Sequence, residues 1–194
     1  MTHLLRNTLV GAAALGLSAA ATAELQTRNI TYSVEGQEHT GYMAWDDSVS
    51  GERPGVLVVH EWWGHDAFSR NQAEKLAKEG YTALALDMYG EGKHADHPKQ
   101  AKAFMKQANS NMDLMQARFR TAMTRLQDHD TVSPDQIAAQ GYCFGGAVVL
   151  NMARLGMDLD GVVSFHGSLG SPIEAESGEV EAAVRAYTGG AAQF

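Results

Sequence analysis

The chain has a single cysteine, Cys143, so no internal disulfide can hold it together. In an oxidising compartment a lone thiol needs either burial or a function. Basic charge is also scarce: 15 Lys and Arg stand against 23 Asp and Glu, a net charge of −8. With no stretch in which Lys and Arg cluster, nucleic acid and anionic membrane surfaces are poor partners. No apolar run after residue 23 approaches the ~20 residues that a membrane span requires, which predicts a soluble mature protein. Internal repeats, low-complexity tracts and linkers are absent too, which leaves one domain over residues 24–194.

What is present begins with a targeting signature. Arg6 supplies a positive n-region, Thr8 to Ala20 is an apolar stretch of small residues and Leu, and Ala21-Thr22-Ala23 is a small-x-small cleavage site. This predicts a signal peptide over residues 1–23, a mature chain starting at Glu24, and a periplasmic or secreted destination. Removing Arg6 takes the net charge from −8 to −9.

The mature sequence alternates strand and helix patterns. Arg28 to Val34 and Gly41 to Trp45 predict a hairpin around Glu35-Gly36-Gln37, and Asp46 to Pro54 reads as a polar loop. Gly55 to His60, Tyr81 to Met88, Gln136 to Cys143 and Gly161 to His166 read as buried strands, with a further strand expected over Glu179 to Tyr187. Helices are predicted at Ala67 to Glu79, ending before Gly80, and at Phe144 to Leu155. One long helix is predicted from Pro98 to about Leu126, where apolar residues step by three or four. The methionines of that helix fit a packing stripe. Alternation from Gly55 onward predicts an α/β fold, a mostly parallel sheet with helices on both faces, and a site at the carboxyl ends of the strands.

Two segments carry the chemistry. Gly141-Tyr142-Cys143-Phe144-Gly145-Gly146 lies between a strand and a helix, the arrangement of a nucleophile elbow with sulfur in place of oxygen. Gly141 and Gly145 let the flanking backbone pass close, and the helix N-terminus faces the thiol and favours its reactive form. His60-Glu61-Trp62-Trp63-Gly64-His65 follows the GVLVVH strand. There Glu61, at the end of a buried strand, faces desolvation and is suited to take a proton. The backbone N–H groups just beyond that strand are where half of an oxyanion hole is built, the other half coming from the residue after the nucleophile.

Together HEWWG, Asp87-Met88-Tyr89, GYCFGG and Ser164-Phe165-His166-Gly167 occur in the order found in dienelactone hydrolases, and the chain resembles that family over almost all of its mature length. The resemblance implies an α/β-hydrolase fold with about eight strands. It implies that Cys143 attacks an ester or lactone carbonyl, that Glu61 assists its deprotonation, and that the N–H groups of Trp62 and Phe144 hold the oxyanion. Tyr89 would lie near the substrate, and the acyl-enzyme would be hydrolysed by water with a His as base. No cofactor is implied.

The departures from the family pattern shape the expectation. The family's substrate-gripping Arg, two residues after the loop Tyr, is replaced by Glu91, which argues against dienelactone itself; Lys93 is the nearest cation in sequence. Ala192 stands where the family's acid is expected, and the family's base would fall past Phe194, so the domain reads as incomplete at its C-terminus. His166 is the only histidine after the elbow, at a position that is not the family's base. The expectation is a thiol hydrolase that acylates but deacylates slowly. A non-catalytic or truncated α/β-hydrolase-like protein is the alternative. Gly90-Glu91-Gly92-Lys93 lacks the spacing of a phosphate loop, and His94, Asp96 and His97 lack a third metal ligand, so no metal is expected. The oligomeric state is left open.

Overall fold

The computed structural model describes residues 24–170. The expected signal segment 1–23, the expected strand Glu179 to Tyr187 and Ala192 lie outside the described residues. Among the described residues six strands form one sheet in the order β1-β2-β4-β3-β5-β6. They are β1 (Leu25–Val34), β2 (Gln37–Asp46), β3 (Arg53–Val59), β4 (Thr82–Leu86), β5 (Val132–Tyr142) and β6 (Gly161–Phe165). The strands β4, β3, β5 and β6 run parallel, and the β1–β2 hairpin joins them antiparallel through β2 and β4. The helices are α1 (Ala67–Lys78), α2 (Pro98–Asn109), α3 (Met112–Gln127) and α4 (Phe144–Arg154). The expected α/β architecture is therefore observed.

The hairpin closes with Val34 opposite Gln37, so its loop is the two residues Glu35 and Gly36, with φ of 49° and 81°. Positive φ at both positions is what a two-residue turn matched to strand twist requires. Both strands are longer than the sequence suggests. Much of β1 is exposed or only half-buried, so the alternation that reveals a strand is missing over its first half. Strand β3 starts two residues early, at Arg53, inside the expected loop. Its guanidinium is buried and donates to Thr82 Oγ1, Asp46 O and Val49 O, each at 3.0 Å.

The single helix expected from Pro98 to Leu126 is instead two. Asn111 Oδ1 accepts from Leu114 N at 2.9 Å, and Ser110 Oγ donates to Gln107 O at 2.7 Å. Short polar side chains that bond the nearby backbone compete with helix continuation, and here they end α2 and cap α3. Ala108 and Met112 are four residues apart and both face inward or partly inward, so the apolar spacing runs unbroken across the junction.

The helices cover both faces. Strand β3 sends Val58 to one side, against Ala73 and Ala77 of α1 with Ala83 and Ala85. It sends Leu57 and Val59 to the other, against Phe119 of α3 and Val148, Val149 and Met152 of α4. Alternate residues of a strand face opposite ways, so a continuous apolar run is what a doubly covered strand needs. From β3 the chain passes to β4 on one side and later returns to β5 on the other. The carboxyl ends of β3 and β5 thus form the switch point where open α/β sheets hold their sites. Glu61 follows the first and Cys143 follows the second.

Candidate active site

Cys143 sits between β5 and α4 with φ 52° and ψ −111°. A non-glycine residue held in this region stores on the order of 1–3 kcal/mol of strain, which the surrounding structure must impose. Its N–H donates to Phe165 O at 2.9 Å and its carbonyl accepts from Ala147 N at 3.3 Å, pinning the turn from both sides. The glycines are steric necessities. A Cβ on Gly141 would lie 2.1 Å from Gly145 O, and one on Gly145 would lie 2.3 Å from Val59 O. The start of α4 therefore rests directly on the end of β3. Cys143 itself is half-buried, and Phe144, at the first position of α4, has an N–H with no partner within the helix.

The segment after β3 is bonded on every side. His60 is fully buried; its Nε2 accepts from Met88 N at 3.1 Å, so the ring proton belongs to Nδ1, which donates to Glu61 O at 2.6 Å. Burial holds the imidazole below its ordinary pKa, which keeps it neutral. Its ring lies against Tyr89 and Phe144, with centroids 4.7 and 5.8 Å away. Gly64 N donates to Glu61 O at 3.2 Å, closing the turn. The neighbouring loop completes the tie: His65 N donates to Lys93 O at 3.1 Å and Ala95 N to Trp63 O at 2.7 Å.

Tyr89 is buried, and its hydroxyl donates to Trp62 O at 3.0 Å. Burial, and then the neighbouring Cys143, push the phenol well above its ordinary value, so it remains a donor. It meets the site through Trp62 and Phe144. Beneath it, Asp87 accepts four backbone N–H bonds: Tyr89 at 2.9 Å and Gly90 at 2.8 Å on Oδ1, Gly92 at 2.8 Å and Thr40 at 3.2 Å on Oδ2. Burial alone would raise its pKa, but these backbone donors hold the carboxyl below the ordinary carboxylate value. Arg118, also buried, donates to Met88 O at 2.8 Å and Gln37 Oε1 at 3.0 Å.

Glu61 lies at the rim rather than sealed within it, 28% exposed, with its Oε1 3.5 Å from His166 Nε2. The desolvation expected at a strand end is therefore incomplete. Lys93 is 3.3 Å from Glu91, so it is neutralised by the residue that replaces the family's Arg. His94 pairs with Asp96 at 3.6 Å on the surface, and no group of potential metal ligands occurs among the described residues. Away from the elbow, a concavity of about 670 Å³ lies among Arg28, Trp45, Arg125 and His129, toward the amino ends of the parallel strands.

The structure thus gathers Cys143, Glu61, Trp62, Phe144, Tyr89, Gly141 and Gly145 around one end of β3 and β5. It adds His60, Asp87 and Arg118 as supports; the first two stood within quoted motifs, but sequence reasoning gave none of the three a role. Each is one polar residue in or beside an apolar run, and its partners are distant in sequence. The available signals were the His that ends GVLVVH, where a polar side chain closes a run buried on both faces, and the Asp of the Asp87-Met88-Tyr89 motif.

Known proteins are similar to this chain. The chain is 38% identical over 119 residues to "Protein usf" of Aquifex pyrophilus, covering 59% of this chain and 51% of that protein. Among solved structures it is similar to m3DLH, with 33% identity, TM-score 0.74, and coverage of 84% of this chain and 66% of the other. It is also similar to the dienelactone hydrolase-like promiscuous phosphotriesterase P91 from metagenomic libraries, with 29% identity, TM-score 0.73, and coverage of 85% and 66%. The chain therefore spans about half the length of the first and just under two thirds of the others, and these likenesses give the described sheet and helices an α/β-hydrolase fold. The family model described as the dienelactone hydrolase family matches residues 40–194, and the chain belongs to that family.

Proposed function

We propose that this protein is a hydrolase of small esters or lactones that works through a Cys143 acyl-enzyme. The observation that carries the reading is the strained Cys143 backbone at the β5–α4 turn, with the Phe144 N–H beside it lacking an acceptor among the described residues. Cys143 Sγ attacks the substrate carbonyl carbon as Glu61 takes the thiol proton. The carbonyl oxygen becomes an oxyanion accepted by the N–H groups of Trp62 and Phe144. Collapse re-forms the carbonyl, breaks the bond to the leaving oxygen, and returns the proton to the departing alcohol. Water then hydrolyses the thioester; no residue between 24 and 170 is assigned as the base of that step.

Family membership supports hydrolytic chemistry, and the Glu91–Lys93 pair disfavours substrates whose carboxylate would need a free cation at that loop. The N-terminal signature over residues 1–23 supports action outside the cytoplasm. The test is a p-nitrophenyl acetate burst followed by intact mass. Wild-type protein should release p-nitrophenol in a burst and carry one acetyl group on Cys143. Cys143→Ala should lose both the burst and the acetyl group at position 143. A Cys143→Ala protein that keeps the wild-type rate would move the nucleophile elsewhere.

A further inference from the structure

The peptide between Glu61 and Trp62 has one face tied down and one face free. Its carbonyl accepts from His60 Nδ1 at 2.6 Å and from Gly64 N at 3.2 Å. Its N–H, that of Trp62, has no acceptor among the described residues. No cis peptide occurs in the described chain, so this unit is planar and trans, and its N–H points opposite to its carbonyl. The carbonyl is drawn toward His60, which has no exposed surface. The N–H is consequently turned toward the partly exposed side, where Cys143, Glu61 and Trp62 all reach the surface.

The same imidazole is itself held without freedom. Met88 N donates to its Nε2, and the rings of Tyr89 and Phe144 confine its plane. Phe144 is the residue whose N–H supplies the other oxyanion donor, so one buried ring touches both halves of the proposed hole.

We infer that His60 is a positioning residue, whose Nδ1–H holds the Glu61 carbonyl and thereby aims the Trp62 N–H at the oxyanion formed on attack by Cys143. This rests on the proposed function and deepens it. His60 touches no reacting atom. Its effect is confined to steps that generate an oxyanion, because a misaimed donor costs nothing where no oxyanion forms. Acetylation of Cys143 by p-nitrophenyl acetate passes through an oxyanion. Alkylation of the same thiol by iodoacetamide is a displacement at carbon and does not.

The test compares those two rates, at one residue, in His60→Asn, His60→Gln and His60→Leu. The Asn amide can take the place of Nδ1 and donate to the Glu61 carbonyl. The Gln side chain reaches the Nε2 position, so it can accept from Met88 but leaves the Glu61 carbonyl to Gly64 alone. Expected is a fall in acetylation of about 10- to 100-fold for Gln and Leu, with alkylation within about twofold of wild type and Asn restoring most of the acetylation rate. Gln acetylating as fast as wild type, or acetylation and alkylation falling in parallel in every variant, would overturn the inference. A wild-type protein that alkylates at Cys143 but is never acetylated there would instead overturn the proposed function. A measurement on the unmodified chain guards against variants that fail to fold. Imidazole ¹⁵N spectra at neutral pH should show His60 neutral and protonated on Nδ1, and an Nε2–H tautomer with a bare Nδ1 would refute the inference by itself.

Discussion

Asp87 has no exposed surface and yet keeps its charge, because four backbone N–H groups converge on its two oxygens. Those donors come from Thr40 on β2 and from the Tyr89–Gly92 loop, so one carboxylate ties the loop that carries Tyr89 to the sheet. Asn in its place keeps one acceptor oxygen but presents an amide to the Gly92 and Thr40 donors, leaving buried N–H groups facing another donor. Asp87→Asn should therefore cost about 3 kcal/mol of stability at neutral pH, by analogy with hydrogen bonds to a buried charged group. The group's pKa is depressed in the folded state from the ordinary 3.8. Its contribution is thus fully present above 3.8 and is lost as pH falls further through the folded value. Urea midpoints should show Asp87→Asn far below wild type at pH 7, with the gap narrowing below pH 3.8. A constant gap across that range would show that the charge is not what Asp87 contributes. At this scale Cys143 and Glu61 were readable because their motifs are contiguous in sequence. Asp87 was readable only as part of a D-x-Y pattern, since its partners Thr40 and Tyr32 lie some 50 residues upstream.

The elements show where local chemistry overrides periodicity. Helix α3 begins because Asn111 caps it, although the apolar stripe of α2 and α3 would suit one continuous helix. Asn111→Ala should lower stability by about 1 kcal/mol, the usual cost of losing an Asn cap, with no change in the reactivity of Cys143. Denaturant midpoints and alkylation rates measured together would decide it. An unchanged midpoint would mean that packing of Met115, Phe119 and Leu126 holds the first turn without the cap. The β5–α4 junction is the opposite case, legible in full from sequence. A Cβ at Gly141 or Gly145 would strike backbone atoms that cannot move aside, so the spacing of glycines around the cysteine is itself the geometry. The hairpin turn was placed to within one residue for a similar reason, because Glu35-Gly36 must adopt positive φ. The extent of β1 was not, since its first half is exposed or half-buried on both faces and leaves no pattern to read.

For the whole molecule, the site lies on a set of buried histidines. Burial lowers the pKa of His39 and His60, and burial brings His65 down to about 4 from 6.5. An unfolded imidazole takes up its proton as pH falls through 6.5, whereas folded His65 resists until about 4. The His65 contribution is therefore full above 6.5 and declines through that window by about 1.4 kcal/mol per pH unit, levelling off below 4; His39 and His60 act in the same direction. His65→Gln should remove on the order of 3 kcal/mol of the loss between neutral pH and pH 4. Urea midpoints at pH 7 and pH 4.5 test this, and an equally steep decline in the variant would assign the acid sensitivity to other groups. The window lies above that of Asp87, so the two effects separate on one pH series. The sequence by itself determined the α/β class, the elbow, the strand-end glutamate and the family, because each is written in contiguous residues whose spacing is set by steric and hydrogen-bonding rules. Only the tertiary structure decided that Glu61 sits at an open rim beside His166, that Lys93 is taken by Glu91, and that His60 and Asp87 hold the site's backbone in place. Those facts depend on which strand ends meet at the switch point between β3 and β5, a long-range pairing that no local pattern encodes.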